Sequence, residues 1–167
     1  TEPEPEKEFT LDELIEAGES MTLEFKGSIR WDFRLNQVNK ALEKSIVKTI
    51  AAFLNTSGGI LVIGVSDEGD IWGIENDLQT LKRKDLDGYE NYLTTLVGSK
   101  LGVHFTTQFK TSFINQEGRT VCIVNVTGSS FPVYLKDGDS VEFYVRSGNT
   151  SRQLNVEEVH EYVPMNW

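Results

Sequence analysis

Cysteine and histidine are scarce in this sequence of 167 residues, which contains one cysteine and two histidines. A single cysteine excludes a disulfide framework and a zinc site built from several cysteines. Cys122 stands between two apolar residues, so we expect it to be a packed strand residue. No run of about 18 apolar residues occurs, which predicts no membrane span. The start, TEPEPEKEF, lacks the apolar stretch of a secretory signal. We therefore expect a cytoplasmic protein with no membrane partner.

Motifs for nucleotide binding and for nucleophilic catalysis are also missing. The phosphate-binding pattern G-x-x-x-x-G-K-[ST] does not occur, and Gly58, Gly59 and Gly64 do not form G-x-G-x-x-G. We therefore expect no nucleotide cofactor. The hydrolase pattern G-x-S-x-G is absent too. We expect His104 to be a sheet residue and His160 to lie on the surface of the last helix.

The net charge of −10 is concentrated at the start of the chain. Residues 1–24 hold nine acidic residues and one basic residue, whereas the remaining chain carries 17 acidic and 15 basic residues. Within that nearly neutral remainder, residues 26–48 hold six basic residues and two acidic ones. Such a basic segment can bind phosphate groups even in a protein that is acidic overall.

The sequence predicts one folded domain, residues 10–167, after a disordered acidic linker, residues 1–9. Glutamate and proline dominate the linker, a composition typical of disordered segments. We expect an upstream domain of a larger protein before it. Apolar residues recur at helical spacing over 39–54, and an unbroken apolar run over 60–65 predicts a strand buried on both faces.

The remaining pattern alternates short strands with helices. Turn residues at 67–70 are expected to lead into a return strand over 71–74. A capping box at Thr10 and Glu13 begins the first helix. Further helices are predicted over 85–98 and 156–163, and strands over 21–25, 103–114, 119–127, 132–135 and 140–146. The predicted class is α+β, a mixed β-sheet with helices packed on it.

Three acidic residues stand near the ends of predicted strands. Glu19 and Glu24 flank the start of the first strand, and Asp67 follows the buried strand. If these side chains share a cleft, their carboxylates would bind Mg²⁺ or Mn²⁺, because such cations prefer oxygen ligands. The ion could then activate water and stabilise phosphoryl charge. The alternative is a solvated acidic face and a turn aspartate.

Glu43 is unusual because it falls near the apolar face of the predicted helix over 39–54. It is a candidate fourth ligand, or a residue that pairs with Lys26 or Arg30. The alternative is an ordinary position on the flank of the helix, paired with Lys40.

Basic residues form the candidate nucleic-acid contacts. They are Lys26, Arg30, Arg34, Lys40, Lys44, Lys48, Arg146 and Arg152. Three of the lysines are spaced i, i+4, i+8 along one helix, and the two later arginines flank a segment rich in glycine and small hydroxyl residues. Cations and hydroxyls are typical phosphate contacts. Trp31 and Phe33 are candidates for stacking on unpaired bases; the alternatives are a solvated helix face and a Trp31 that anchors its loop on the core.

Four motifs, in order over about residues 19–160, resemble the Schlafen AlbA_2 domain, chiefly its prokaryotic single-copy form. They are Leu23-Glu24-Phe25-Lys26-Gly27-Ser28, Thr49-Ile50-Ala51-Ala52-Phe53-Leu54-Asn55-Thr56-Ser57-Gly58-Gly59, Ile63-Gly64-Val65-Ser66-Asp67 with Gly69 and Gly73, and Tyr144-Val145-Arg146 with Gly148, Thr150 and Arg152. Pro132-Val133-Tyr134 precedes the last motif, and the insertion over 30–40 is typical of the prokaryotic subgroup.

The resemblance implies a nucleic-acid-binding domain. Animal Schlafens have two such lobes clamped around RNA, and some cleave tRNA or rRNA. Their catalytic acids, an E-x4-E pair and a later aspartate, match Glu19, Glu24 and Asp67. A single lobe implies a homodimer for a similar clamp. Some relatives are called ATPases, which the missing phosphate loop does not support, and others are called transcriptional regulators.

Three functions therefore stay open. The first is a Mg²⁺- or Mn²⁺-dependent endoribonuclease that uses Glu19, Glu24 and Asp67. The second is a non-catalytic DNA- or RNA-binding module, or transcription-regulatory module, of a larger protein. The third is a dimerisation or protein-interaction unit whose acidic residues only solvate it.

Overall fold

The structure of the chain is a computed structural model that describes residues 2–3 and 8–167. Residues 1 and 4–7 of the predicted linker lie outside the described residues. In the described ranges the fold is α+β, as predicted. Its helices and strands, in chain order, are α1 (Leu11–Ala17), β1 (Leu23–Lys26), β2 (Trp31–Asp32), β3 (Gln37–Val38), α2 (Ala41–Leu54), β4 (Gly59–Ile63), α3 (Glu75–Thr80), α4 (Leu86–Leu101), a 3₁₀ helix (Val103–Thr107), β5 (Phe109–Gln116), β6 (Arg119–Val126), β7 (Leu135–Asp137), β8 (Ser140–Ser147), β9 (Thr150–Leu154) and α5 (Val156–Asn166).

A four-stranded mixed sheet forms the centre of the fold, in the order β1-β4-β6-β5. Strand β1 runs parallel to β4, and the other neighbouring pairs are antiparallel. Leu61, Val62 and Ile63 of β4 are fully buried, because the sheet is covered on both faces and a strand in its middle meets apolar side chains above and below. The unbroken apolar run over 60–65 therefore predicts this strand correctly.

Helix α2 covers one face of the sheet and α1 covers part of the other. Ile46, Ile50 and Phe53 of α2 are fully buried in the larger core cluster. Helix α1 packs Leu11 and Leu14 into a smaller cluster on the opposite face. The predicted capping box is present, since the Thr10 hydroxyl accepts a hydrogen bond from the Glu13 amide at 3.2 Å. This satisfies an amide that the helix itself leaves unpaired.

A second sheet, antiparallel and in the order β7-β8-β9, packs against α2. The Asn55 side chain, buried at the end of α2, joins the two layers. Its amide donates to the carbonyls of Val133 and Tyr144, and its oxygen accepts from the Val133 amide. Because each of its polar atoms has a partner, Asn55 fixes the second sheet at one place along α2.

Three predicted elements differ from the structure. Residues 71–74 form only a single bridge, Val65 to Ile71, and not a return strand. Gly73 has φ of +78°, a left-handed conformation, and the Ile74 amide bonds the Thr120 carbonyl of β6. The segment thus turns away to begin α3. Residues 103–107 form a 3₁₀ helix, so His104 is not in the sheet. The strand predicted over 132–135 lies later, as β7. Strands β2, β3 and β9 and helix α3 are additional.

None of the helices in the described part of the chain combines the length and the apolar character that crossing a bilayer requires. Cys122 is buried on β6, as predicted, and its burial raises the pKa of the thiol.

Candidate functional site

The three predicted acids line one open pocket of about 400 Å³, called here the acidic pocket. Glu19 lies in the turn after α1, Glu24 on β1 and Asp67 just beyond β4. Glu24 and Lys26 project from the same face of β1, and Glu19 folds back along this strand so that its carboxylate reaches the Phe25 amide. The remaining lining residues are Lys26, Ser45, Lys48, Thr49, Asn149, Thr150 and Ser151. The pocket therefore combines three carboxylates with two lysines and a group of small polar side chains.

Arg146 lies behind the acidic pocket, and no part of its side chain is exposed. Its guanidinium donates to Glu24 Oε2 at 3.0 Å and to Ser151 Oγ at 3.2 Å. It also donates to the carbonyls of Ser20 and Met21. A buried charge needs this many partners, because it has lost its water. The sequence-based assignment of Arg146 as a nucleic-acid contact is therefore corrected: Arg146 supports the pocket from within the protein.

Glu24 is held by two cations. Its Oε1 lies 3.2 Å from Lys26 Nζ, and its Oε2 pairs with Arg146. Both carboxylate oxygens thus already have a positively charged partner, which compensates for the burial of the group.

Glu19 is held by the backbone rather than by a cation. Its Oε1 accepts a hydrogen bond from the Phe25 amide at 3.0 Å. Partial burial raises the pKa of Glu19, and the nearby charges of Glu24 and Asp67 add to the rise, against the lowering effect of the Phe25 hydrogen bond. The electrostatic effect of both other acids on Glu19 agrees with their position in one pocket.

These residues do not fit a three-carboxylate metal site as they stand. Over residues 2–3 and 8–167, no group of three or more His, Cys, Asp or Glu side chains is arranged to hold a metal ion. The physical reason is the state of Glu24, whose two oxygens are already paired with Arg146 and Lys26. The three acids share a pocket, but Lys26 and Arg146 neutralise the charge of Glu24.

The structure separates the eight predicted basic contacts. Lys26 and Lys48 line the acidic pocket, where Lys48 Nζ also lies 5.2 Å from the centre of the Tyr144 ring. Lys44 is paired with Asp137 and Glu142, each at 2.9 Å. These hydrogen bonds raise the pKa of Lys44, and its charge is balanced within the protein.

The other predicted basic residues lie outside the acidic pocket. Arg34 and Arg152 are exposed, and Lys40 lines a second cavity. The Arg30 guanidinium lies 5.3 Å from the centre of the Tyr92 ring. Of the two aromatic candidates for base stacking, Phe33 packs on Trp72 with ring centres 4.6 Å apart, so its ring already has a partner.

Asp77 fixes the inserted segment, a role that no sequence pattern indicated. The side chain of Asp77 is buried on α3, where its two oxygens accept hydrogen bonds from the amides of Ile29, Arg30 and Trp31 at 2.7–3.1 Å. Buried backbone amides need hydrogen-bond acceptors, and the Asp77 carboxylate supplies them for three successive amides. No local pattern could reveal it, because Asp77 is more than 40 residues away along the chain.

The pocket residues Asn149, Thr150 and Ser151 were predicted only as part of a polar segment. Asn149 lies in the tight turn between β8 and β9, and Thr150 and Ser151 begin β9, so this hairpin brings their side chains to the pocket beside Glu24. The Asn149 amide and the Ser151 hydroxyl can donate hydrogen bonds to an anion, whereas the Thr150 hydroxyl donates to the Ser147 carbonyl. Gly148 was the sequence signal for the turn.

Several known proteins are similar to this chain. It is 25% identical over 143 residues to an uncharacterized ATP-binding protein, UU034, of Ureaplasma parvum; the match covers 84% of this chain and 36% of that protein. The chain therefore spans about a third of the length of this curated relative.

Two solved structures share the fold. The DIP2311 protein of Corynebacterium diphtheriae is 20% identical with a TM-score of 0.59, over 87% of this chain and 27% of that one. The N-terminal domain of a putative ATP-dependent DNA helicase RecG-related protein of Nitrosomonas europaea is 24% identical with a TM-score of 0.53, over 87% and 90%. Residues 19–155 match the family described as Schlafen, AlbA_2. The chain belongs to the Schlafen AlbA_2 family.

Proposed function

We propose that this domain binds nucleic acid and that the acidic pocket receives the sugar–phosphate backbone of a single strand. The observation that carries the proposal is the convergence of Lys26, Lys48 and the hairpin segment 149–151 on one open pocket. Phosphate oxygens are bound by ammonium groups, hydroxyls and amides of this kind. The family assignment supports a nucleic-acid-related role for the whole domain.

The carboxylates of the acidic pocket compete with phosphate for its lysines. Glu24 already pairs with Lys26, so a phosphate must compete with a protein carboxylate for that lysine. Lys48 has no acidic partner among the described residues, and its ammonium group is therefore the cation most available to a phosphate. We expect moderate affinity and strong dependence on salt, because competition inside the pocket limits the net attraction.

A polynucleotide suits this domain better than a free nucleotide such as ATP. The Ureaplasma parvum relative is named as an ATP-binding protein. This sequence lacks the phosphate-loop motif that holds ATP in many nucleotide-binding proteins. We therefore propose a polynucleotide as the ligand. We also propose that the domain acts in the cytoplasm as part of a larger protein, and that two copies form the clamp of a homodimer.

Salt dependence tests the proposal for the wild-type protein. If two or three phosphates contact the pocket, the affinity for a short single-stranded RNA should fall about 7- to 20-fold between 50 and 200 mM salt. Fluorescence anisotropy of a labelled oligonucleotide measures this. An affinity that does not change with salt would contradict phosphate contacts. No binding at low salt would overturn the proposal and favour a protein-interaction role.

Cleavage of RNA is a second candidate function, favoured by the three carboxylates that line the same pocket. A Mg²⁺ or Mn²⁺ ion is part of that proposal. It requires Lys26 to release Glu24 Oε1, because the pocket offers no free group of three carboxylates in its present arrangement. The alternative is a pocket that binds nucleic acid without cutting it.

The substitution Glu24→Gln separates binding from cleavage. If the acids cleave RNA, wild-type protein should cut a structured RNA in Mn²⁺ but not in EDTA, and Glu24→Gln should lower the rate at least about 100-fold. Gel electrophoresis of end-labelled RNA measures the rate. Glu16→Gln, at an exposed position of α1, is the matched control. Cutting that survives Glu24→Gln would show that these acids are not catalytic.

A further inference from the structure

A second cavity, of about 570 Å³, lies between α2, α4 and β7. This base cavity, as we call it below, has an apolar wall and a charged rim. Its apolar residues are Ala41, Val47, Leu96 and Leu135, and its charged residues are Lys40, Glu43, Lys44, Lys100 and Asp137. Cavities of a few hundred cubic ångströms with apolar walls and a few polar groups are typical ligand sites. The proposed binding of the sugar–phosphate backbone in the acidic pocket does not involve this base cavity.

Glu43 is the polar group that defines the base cavity. It is 9% exposed and does not pair with Lys40, Lys26 or Arg30 as the sequence suggested. Its Oε2 accepts a hydrogen bond from the Tyr92 hydroxyl, and burial together with this bond raises the pKa of Tyr92 to about 12. Among the described residues, Oε1 has no partner. This oxygen is not one of the fully buried unpaired atoms of the described residues, so it reaches the open space of the cavity, where a ligand can donate a hydrogen bond to it.

The charges around the base cavity favour a hydrogen-bond donor over a phosphate. Lys44 is already paired with Asp137 and Glu142, and Lys100 Nζ lies 3.9 Å from Asp137. The positive charges of Lys44 and Lys100 are thus offset by protein carboxylates, while Glu43 Oε1 can accept a hydrogen bond from a ligand. A flat ring with an amino group on its edge matches this combination, because its faces suit the apolar wall and its N–H suits the carboxylate.

Helix α2 connects the base cavity to the acidic pocket. Lys40 and Lys44 line the former and Lys48 lines the latter. These lysines follow one another at i, i+4 and i+8, so Lys48 lies about 6 Å from Lys44 and about 12 Å from Lys40 along the helix axis. An extended single strand covers that distance in a few nucleotides.

We propose that the base cavity binds one base of the strand whose backbone occupies the acidic pocket, and that Glu43 accepts a hydrogen bond from the exocyclic amino group of that base. The inference rests on the proposed function, since it assigns a second contact to the same strand. Adenine, guanine and cytosine carry such a group, whereas uracil presents a carbonyl oxygen in the corresponding place. The domain therefore prefers strands with amino-bearing bases over oligo(U).

Oligo(C) and oligo(U) of equal length form the sharpest comparison, because cytosine and uracil have the same ring size and differ mainly in donor against acceptor. We expect wild-type protein to bind oligo(C) about 10-fold more tightly than oligo(U) at low salt. Glu43→Gln keeps an oxygen for Tyr92 and offers an amide N–H to the base. It should lower the preference to about twofold or less, because the cytosine amino group loses its carboxylate acceptor while the uracil carbonyl gains an N–H donor.

Ala41→Trp is a second variant that tests the base cavity without altering a buried group. Ala41 lies at the exposed edge of the cavity, so the indole should fill the entrance and leave the core intact. It should reduce oligo(C) affinity to the oligo(U) value. Equal binding of oligo(C) and oligo(U) by wild type would overturn the proposal that the base cavity binds a base. A preference that both variants retain would overturn it too. Neither result would contradict binding of the sugar–phosphate backbone in the acidic pocket. Failure of wild type to bind either strand at low salt overturns both proposals.

Discussion

Arg146→Ala is expected to lower the free energy of unfolding by about 3–5 kcal/mol, because it removes one partner of a buried ion pair. The guanidinium joins Glu24 on β1 to Ser151 on β9 and to the carbonyls that precede β1. It also lies 4.9 Å from the centre of the Phe53 ring in the core. Its loss leaves Glu24 without its buried partner and opens a void beside Phe53. Urea denaturation followed by circular dichroism measures the change.

Arg152→Ala is the matched control for this loss. Arg152 lies on the neighbouring strand with an exposed side chain, so its removal should change stability by no more than about 0.5 kcal/mol. Arg146→Lys keeps the charge but not the planar fork of donors, and an intermediate loss is expected. If Arg146→Ala costs no more than Arg152→Ala, the guanidinium does not hold the pocket together, and the support assigned to it is wrong.

Local sequence patterns predicted the elements that local physics decides. Thr10 and Glu13 begin α1 because a capping box needs only residues three apart. The apolar run around Leu61 predicted a buried strand, since few other structures satisfy so many adjacent apolar residues. Helix α2 followed from the repeat of apolar residues at helical spacing.

Long-range contacts decided the elements that the sequence predicted incorrectly. The segment 71–74 alternates like a strand, yet Ile74 bonds Thr120 of β6 and the chain turns into α3. Glu75 adds to this, because its carboxylate accepts from the Thr120 amide. These partners lie about 45 residues away, and a window of neighbouring residues contains no information about them.

The candidate site could be predicted in part. Family resemblance pointed to Glu19, Glu24 and Asp67, and the three line one pocket. It did not indicate that Glu24 would be paired with a buried cation, because Arg146 is 122 residues away along the chain. The i, i+4, i+8 spacing identified Lys40, Lys44 and Lys48 as one row on a helix. Their division between two cavities could not be predicted, because it depends on how α4 and β7 pack beside α2.

Lys48→Glu is expected to weaken binding of single-stranded RNA about 10-fold or more at low salt and to reduce the slope of the salt dependence by about 0.7. The change replaces the pocket cation that lacks an acidic partner with a fourth carboxylate, which repels phosphate. Lys48→Met keeps an apolar stem against Tyr144 and removes only the charge, so it should give a smaller loss. Thermal unfolding of each variant checks that the fold is retained.

The anisotropy titration of wild type, Lys48→Glu and Lys82→Glu with one labelled RNA tests the central claim most directly. Lys82 is exposed in the turn before α4 and lines neither cavity, so Lys82→Glu makes the same change in net charge away from the acidic pocket. We predict a large loss for Lys48→Glu and a change of about twofold or less for Lys82→Glu. Equal losses for the two variants would show that RNA responds to the overall charge of the domain, and would contradict binding at the acidic pocket.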